Sequence, residues 1–250
     1  MKSLFLAWQA PNRAWFPVGR LDADVAHQHY HFRYTKGALQ AKHAVGFRPL
    51  PAFPDFERAY ESSELFPLFQ NRVLDPNRKD FGAYLASLDL PTSSADPIEI
   101  LAVSGGERQT DSLEVFPRIE SHRDGAFRCR FFLHGWRHMS QASQSRAMAL
   151  QPGESLGVSL ELTNKAAQVA ILLTSSDYAF LGWTPRYLVN DLLNAISEKP
   201  SVAATVVRVN ATDVPANRRV LVELTGTLPA GSQPMSAEEF QPLVNNMTTH

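Results

Sequence analysis

The sequence predicts an α+β protein built from two small domains, and three observations carry this. Of 250 residues, 44% are hydrophobic and 20% charged, the balance of an ordinary folded chain long enough for one large domain or two small ones. Seventeen prolines and thirteen glycines are spread along the whole length, so the elements are short. The string TSSADP at 92–97 is the clearest linker signal, and the character of the chain changes after it. The expected division is therefore 1–91, 92–228 and a polar tail at 229–250.

In order, residues 3–8 (SLFLAW) and 15–21 (WFPVGRL) read as strands, with Pro17 marking an edge or a bulge. Residues 29–34 (HYHFRY) alternate as a third strand. Residues 46–58 hold three prolines and form an extended loop. Residues 61–74 have a Ser cap and apolar spacing that predict a helix, provided Pro67 lies in its first turn. Residues 79–88 predict a second short helix. Beyond the linker, 98–103 (IEILAV) reads as a strand, followed by a turn at Gly105-Gly106. Residues 126–134 alternate, with Phe127, Cys129 and Phe131 on one face and Arg128 and Arg130 on the other. A helix over 139–150, strands at 155–162, 168–174 and 179–183, and an amphipathic helix over 186–197 follow. A strand pair at 203–209 and 218–226 closes the pattern.

Lys plus Arg number 24 and Asp plus Glu 25, which excludes binding nucleic acid by bulk positive charge. The single cysteine, Cys129, excludes a disulfide framework and any zinc or iron–sulfur site built on several thiolates. The apolar run before Pro11 is too short for a signal peptide, and no run of about 20 apolar residues exists to span a membrane. A cytoplasmic protein with no membrane partner is expected.

The segments Phe132-Leu133-His134-Gly135-Trp136-Arg137, Pro152-Gly153-Glu154-Ser155-Leu156, Glu161 with Asn164, Val169-Ala170-Ile171 and Leu181-Gly182-Trp183-Thr184-Pro185-Arg186 come in that order. Together they resemble the HIRAN domain, and the closing G-W-T-P-R is the most specific part. The resemblance implies a small β-barrel-like sheet with one or two helices. It also implies DNA binding, in the best understood cases by capture of a single-stranded 3′ end. There an aromatic stacks on the last base, basic groups hold phosphate and an acid reads the hydroxyl. Carried over, Arg137 is the phosphate contact, His138 stands at an aromatic position, and Trp183 and Arg186 keep stacking and phosphate capacity. Asn164 belongs to the segment that departs most. Both of its family prolines are gone, and Ala166 and Ala167 replace the apolar neighbour and the acid. Alanine neither stacks nor accepts a side-chain hydrogen bond, so the implied function is general DNA binding rather than 3′-end reading.

Val18-Gly19-Arg20-Leu21, His31-Phe32-Arg33-Tyr34 and Leu65-Phe66-Pro67-Leu68-Phe69-Gln70-Asn71-Arg72 make residues 1–91 similar to the N-terminal module of HipA-type kinases. The kinase core and any ATP motif are missing. This resemblance implies the alternative function, in which residues 1–91 dock a partner kinase or toxin–antitoxin component and the HIRAN part is a degenerate scaffold.

The candidate DNA-binding residues are Arg128, Arg130, Arg137, His138, Asn164, Trp183 and Arg186. Arg118, Arg123 and Arg146 extend the basic stretch, which holds six arginines against Glu120 and Asp124, an excess of four. His27, His29 and His31 share one strand face in a spacing that suits zinc or copper, but a polar edge strand explains them as well, and no metal or other cofactor is expected. Phe47, Phe53, Phe56, Leu65, Phe66 and Phe69 form either a core or a docking face. Cys129, on an apolar face, is packing rather than a nucleophile. Gly105-Gly106 lacks the phosphate-loop spacing, and no catalytic signature appears, so no enzymatic activity is expected. Asn210-Ala211-Thr212 and Asn246-Met247-Thr248 match the glycosylation sequon without a secretory context.

Overall fold

The computed structural model describes residues 1–94, 96–108, 110–165, 167–198 and 202–244. The chain runs β1 (Lys2–Gln9), β2 (Trp15–Asp24), β3 (His29–Tyr34), α1 (Lys36–Val45), β4 (Tyr60–Ser62), α2 (Pro67–Gln70), α3 (Phe81–Ser87) and α4 (Pro97–Ser104). It continues with β5 (Leu113–Pro117), β6 (Ala126–Phe132), α5 (Gln141–Met148), β7 (Ser155–Asn164), β8 (Gln168–Thr174), β9 (Phe180–Trp183), α6 (Val189–Glu198), β10 (Ala203–Val209) and β11 (Val220–Thr227). The fold is α+β with two antiparallel sheets.

Packing divides the chain into two compact units. Residues 1–81, 93–118 and 236 onward form the first; 82–92 and 119–235 form the second. The TSSADP string at 92–97 contains one of the crossings.

The first unit holds a five-stranded sheet in the order β4-β3-β2-β1-β5. Leu4 and Leu6 project to one face, where they join Val18, Leu21, Phe32, Tyr34, Phe53, Phe69, Ile98 and Leu101 in a buried cluster. Phe5, one residue out of phase, projects to the other face. It packs on Phe116 at 5.6 Å and on Phe240 at 5.1 Å between ring centroids. Phe240 belongs to a closing strap. Lys36 donates its N–H to the Gln241 carbonyl at 2.8 Å, and Leu243 donates to the Tyr34 carbonyl at 2.9 Å. Part of the expected tail is thus built into the first sheet.

Several expectations are corrected. Residues 98–103 form α4, not a strand. Asp96 caps the helix by accepting the Glu99 N–H at 2.9 Å, Pro97 occupies the first turn, and Gly105 ends it in the left-handed conformation. Gly105-Gly106 therefore links a helix to β5 rather than two strands. The helix expected over 61–74 shrinks to α2, because Pro67 can only start a helix, and residues 60–62 are an edge strand instead. α1 and β5 carried no expectation.

The second unit holds a six-stranded sheet in the order β6-β11-β10-β7-β8-β9. Phe127, Cys129 and Phe131 of β6 point inward and are buried, as their alternation predicts. Leu221, Val222 and Leu224 of β11 are buried beside them. The stretch after β6 meets β9 at one isolated bridge, His134↔Trp183; among the described residues no ladder joins the sheet's two ends. No helix among the described residues is long and apolar enough to cross a membrane.

Candidate nucleic-acid interface

The bridge brings the opening and closing segments of the HIRAN-like pattern side by side. His134 N–H donates to the Trp183 carbonyl at 3.0 Å, and Trp183 N–H returns the bond to His134 at 3.1 Å. Between them Gly135 has φ +87°, and a Cβ there would lie 2.3 Å from the Trp183 ring. Only glycine fits both the backbone and the contact. Gly135 then opens a 3₁₀ turn, Trp136–His138. The His138 N–H donates to the Gly135 carbonyl at 2.8 Å, and the Gln144 amide donates to the Trp136 carbonyl at 3.1 Å. Arg137 and His138 are exposed on this turn. No carboxylate lies within ion-pair distance of Arg137 among the described residues.

Trp183 is half-buried and fixed. Its indole N–H donates to Glu161 Oε2 at 2.6 Å, and the Phe180 ring packs edge-on at 4.7 Å. The same Glu161 oxygen accepts the Asn164 amide at 2.9 Å, while Asn164 Oδ1 accepts the Ala167 N–H at 3.0 Å. Asn164 thus ties the β7–β8 turn to the tryptophan. Ala167 lies in that turn; Ala166 is outside the described residues. Arg186, half-buried, follows Pro185 and opens a second 3₁₀ turn.

Three of the other arginines have carboxylate partners. Arg130 Nε donates to Glu223 Oε2 at 2.8 Å and its Nη1 to Asp89 at 3.1 Å. Arg128, more exposed, lies 3.6 Å from Glu223 Oε1. Arg146 pairs with Glu154 at 2.6 Å and Asp177 at 2.9 Å; hydrogen bonds from Arg146 and the Gln151 N–H hold the Glu154 carboxyl below its ordinary range, and hydrogen bonds with Ser175 and Arg146 do the same for Asp177. Four acids outside residues 118–146 therefore engage three of the six arginines there. Arg118 and Arg123 are exposed, and Arg118 belongs to the first unit.

One residue beside the turn was not singled out in the sequence. The Arg219 guanidinium is buried 5.5 Å from the Trp136 ring centroid. It donates to the carbonyls of Asn210, Ala211 and Thr212, so one cation joins the 210–212 loop to the turn. No spacing in the sequence links residues 136 and 219.

The remaining candidates separate. His29 and His31 lie across from Glu61, each 3.9 Å from a carboxylate oxygen. His27 sits in the preceding turn, with Nδ1 2.9 Å from Asp24. No group of three or more metal-ligating side chains stands together among the described residues. Burial, helped by Asp191 and Glu223, pushes the Cys129 thiol up to about 12, which suits packing and not attack. Phe47, Phe53, Leu65 and Phe69 are buried, and Phe56 and Phe66 pack half-buried against them, so this set is core. Asn210 is buried and donates to the Ser87 and Arg218 carbonyls at 2.9 and 2.7 Å; the sequon at 246–248 lies outside the described residues.

No family model matches the chain, and no curated protein matches it. Among solved structures, a protein from Lactobacillus plantarum determined as a Northeast Structural Genomics Consortium target superposes on 42% of this chain and 100% of its own. The identity is 15% and the TM-score 0.32, a likeness too loose to assign a fold.

Proposed function

We propose that the second unit is a non-enzymatic, HIRAN-type module that binds DNA, single-stranded or with a free end, through the Trp136–His138 turn and the adjacent Trp183–Arg186 segment. The observation that carries this reading is the His134↔Trp183 bridge, which sets the exposed Arg137 and His138 beside the GWTPR segment. In this reading the bridge is the closure of a barrel-like sheet. Arg137 is the leading phosphate contact because among the described residues no acid competes for it, and His138 is the exposed ring available to a base. Trp183 gives the site a fixed wall, with Arg186 beside it. Arg128 and Arg130 contribute only where DNA displaces Glu223. Asn164 positions the turn rather than touching DNA. An acid is missing at Ala167, so binding does not discriminate a free 3′ hydroxyl.

The test is fluorescence anisotropy with labelled single strands at several salt concentrations, a 3′-phosphate-blocked strand and a duplex serving as controls. Binding should weaken with salt, be the same for the blocked strand, and lose about one unit of salt slope in Arg137→Ala. Absence of binding at low salt, or an unchanged slope in Arg137→Ala, overturns the assignment.

A further inference from the structure

The loop between β10 and β11 sets two consecutive arginines on two aromatic rings. Arg219 lies over Trp136, and the Arg218 guanidinium lies over Tyr84 of α3, 5.0 Å from its ring centroid. The loop is tied down at both ends. The buried Asn210 amide donates to the Ser87 carbonyl at 2.9 Å and to the Arg218 carbonyl at 2.7 Å. Arg219 gathers the carbonyls of Asn210, Ala211 and Thr212. The 3₁₀ turn that closes the loop, Ala216–Arg218, packs on the Trp136–His138 turn. Tyr84, Ser87, the loop and both turns all belong to the second unit.

We propose that Arg218 is a second phosphate contact, so that a bound strand continues from the Trp136–His138 turn across the 216–218 turn; this rests on the DNA-binding reading above. The two arginines of the loop are used differently. Arg219 spends its N–H groups on carbonyls and is buried. Arg218 is half-buried and offers its flat face to Tyr84. A ring engages only the face of a guanidinium, and the N–H edge remains for phosphate oxygens. The ring also holds the side chain in place before a ligand arrives, so less freedom is lost on binding. Among the described residues no ion pair involves Arg218. Residues 210–219 hold Arg218 and Arg219 against the single acid Asp213. Arg137 and Arg218 thus put two like charges on two packed turns, an arrangement that the repeated charges of a phosphate backbone relieve.

The test uses the full chain and labelled single strands of about 16 nucleotides, the upper end of single-strand site sizes, in anisotropy titrations at several salt concentrations. Arg218→Ala should lower the salt slope by about 0.7, the value of one phosphate on a single strand. Arg218→Lys, which keeps the charge, should keep the slope. Arg137→Ala with Arg218→Ala should lose the sum of the two single losses. If Arg218→Ala fails to fold, Ala216→Lys decides, because it adds a cation at an exposed position of the same turn and should steepen the slope by the same amount. A slope that falls in Arg137→Ala but is unchanged in Arg218→Ala and in Ala216→Lys overturns this contact and leaves the DNA-binding reading standing. An equal loss in Arg218→Lys and Arg218→Ala also overturns it. A parent protein that binds no strand at low salt overturns both.

Discussion

Glu223 stands directly across the β6–β11 ladder from Arg130 and accepts its Nε at 2.8 Å, while its other oxygen lies 3.6 Å from Arg128. One carboxylate thus holds down two of the cations that would otherwise face solvent. Partly exposed pairs of this kind contribute only about 0–1 kcal/mol to stability, so Glu223→Gln should leave the melting temperature nearly unchanged. It should tighten single-strand binding at low salt and steepen the salt slope by about 0.7 for each arginine recruited. An unchanged slope would place β6 outside the DNA path.

Gly135→Ala and Gly153→Ala separate backbone strain from contact. Both glycines have a φ near +87°, but only at Gly135 does a Cβ strike the Trp183 ring. Left-handed backbone costs a non-glycine residue about 1–2 kcal/mol. Denaturant unfolding should show that loss at Gly153 and a larger one at Gly135, accompanied by a change in tryptophan emission.

Phe240→Ala should cost about 3–5 kcal/mol in the first unit, the usual range for emptying a buried phenylalanine site. The ring is buried against Phe5 and Phe116. Urea titration of the variant is the measurement. A loss below about 1 kcal/mol would mean the strap contributes little.

Acid should weaken the first unit through two groups. Burial pushes the Asp22 carboxyl up, but hydrogen bonds from Ser3, Arg20 and Arg33 and the Arg20 charge outweigh it, leaving it below the ordinary 3.8. Its stabilisation is complete above that value and is lost as pH falls through the lower, folded value. His31 is held below 6.5, first by burial and then by Arg33, against the pull of Glu61 and Asp22. The unfolded chain therefore takes up that proton first, and stability declines as pH drops below 6.5. His31→Gln should flatten the stability profile between pH 7 and 5, and Asp22→Asn should flatten it at lower pH while lowering the plateau.

Part of the strand pattern is legible in the sequence. β3 and β8 match their expected limits, and the inward Phe127, Cys129 and Phe131 follow from alternation alone. α4 misled because IEILAV is apolar on all sides, and a short apolar run has no period. The deciding marks lay outside it, in the Asp96-Pro97 start and the Gly105 stop. The arginine-rich stretch misled for a different reason. A charge count along residues 118–146 misses Asp89, Glu154, Asp177 and Glu223, which reach the arginines only through strand pairing and tight turns. Arg219 against Trp136 is likewise a product of tertiary packing. The FLHGWRH opening and the GWTPR closing are tied together in the sequence only by the family resemblance; the structure adds that Gly135 and Gly182 lie where the two backbones approach.

The strap carrying Phe240 has a consequence for biosynthesis. The first sheet begins with β1, yet the Phe240 ring that packs on one of its faces is translated after every strand of the second unit. The strands of the second unit are therefore all synthesised before the first unit has its lid. Until then Phe5 and Phe116 lack the Phe240 ring, and any product ending before residue 236 leaves them so. The order of synthesis and the order of completion therefore run in opposite directions for the first unit.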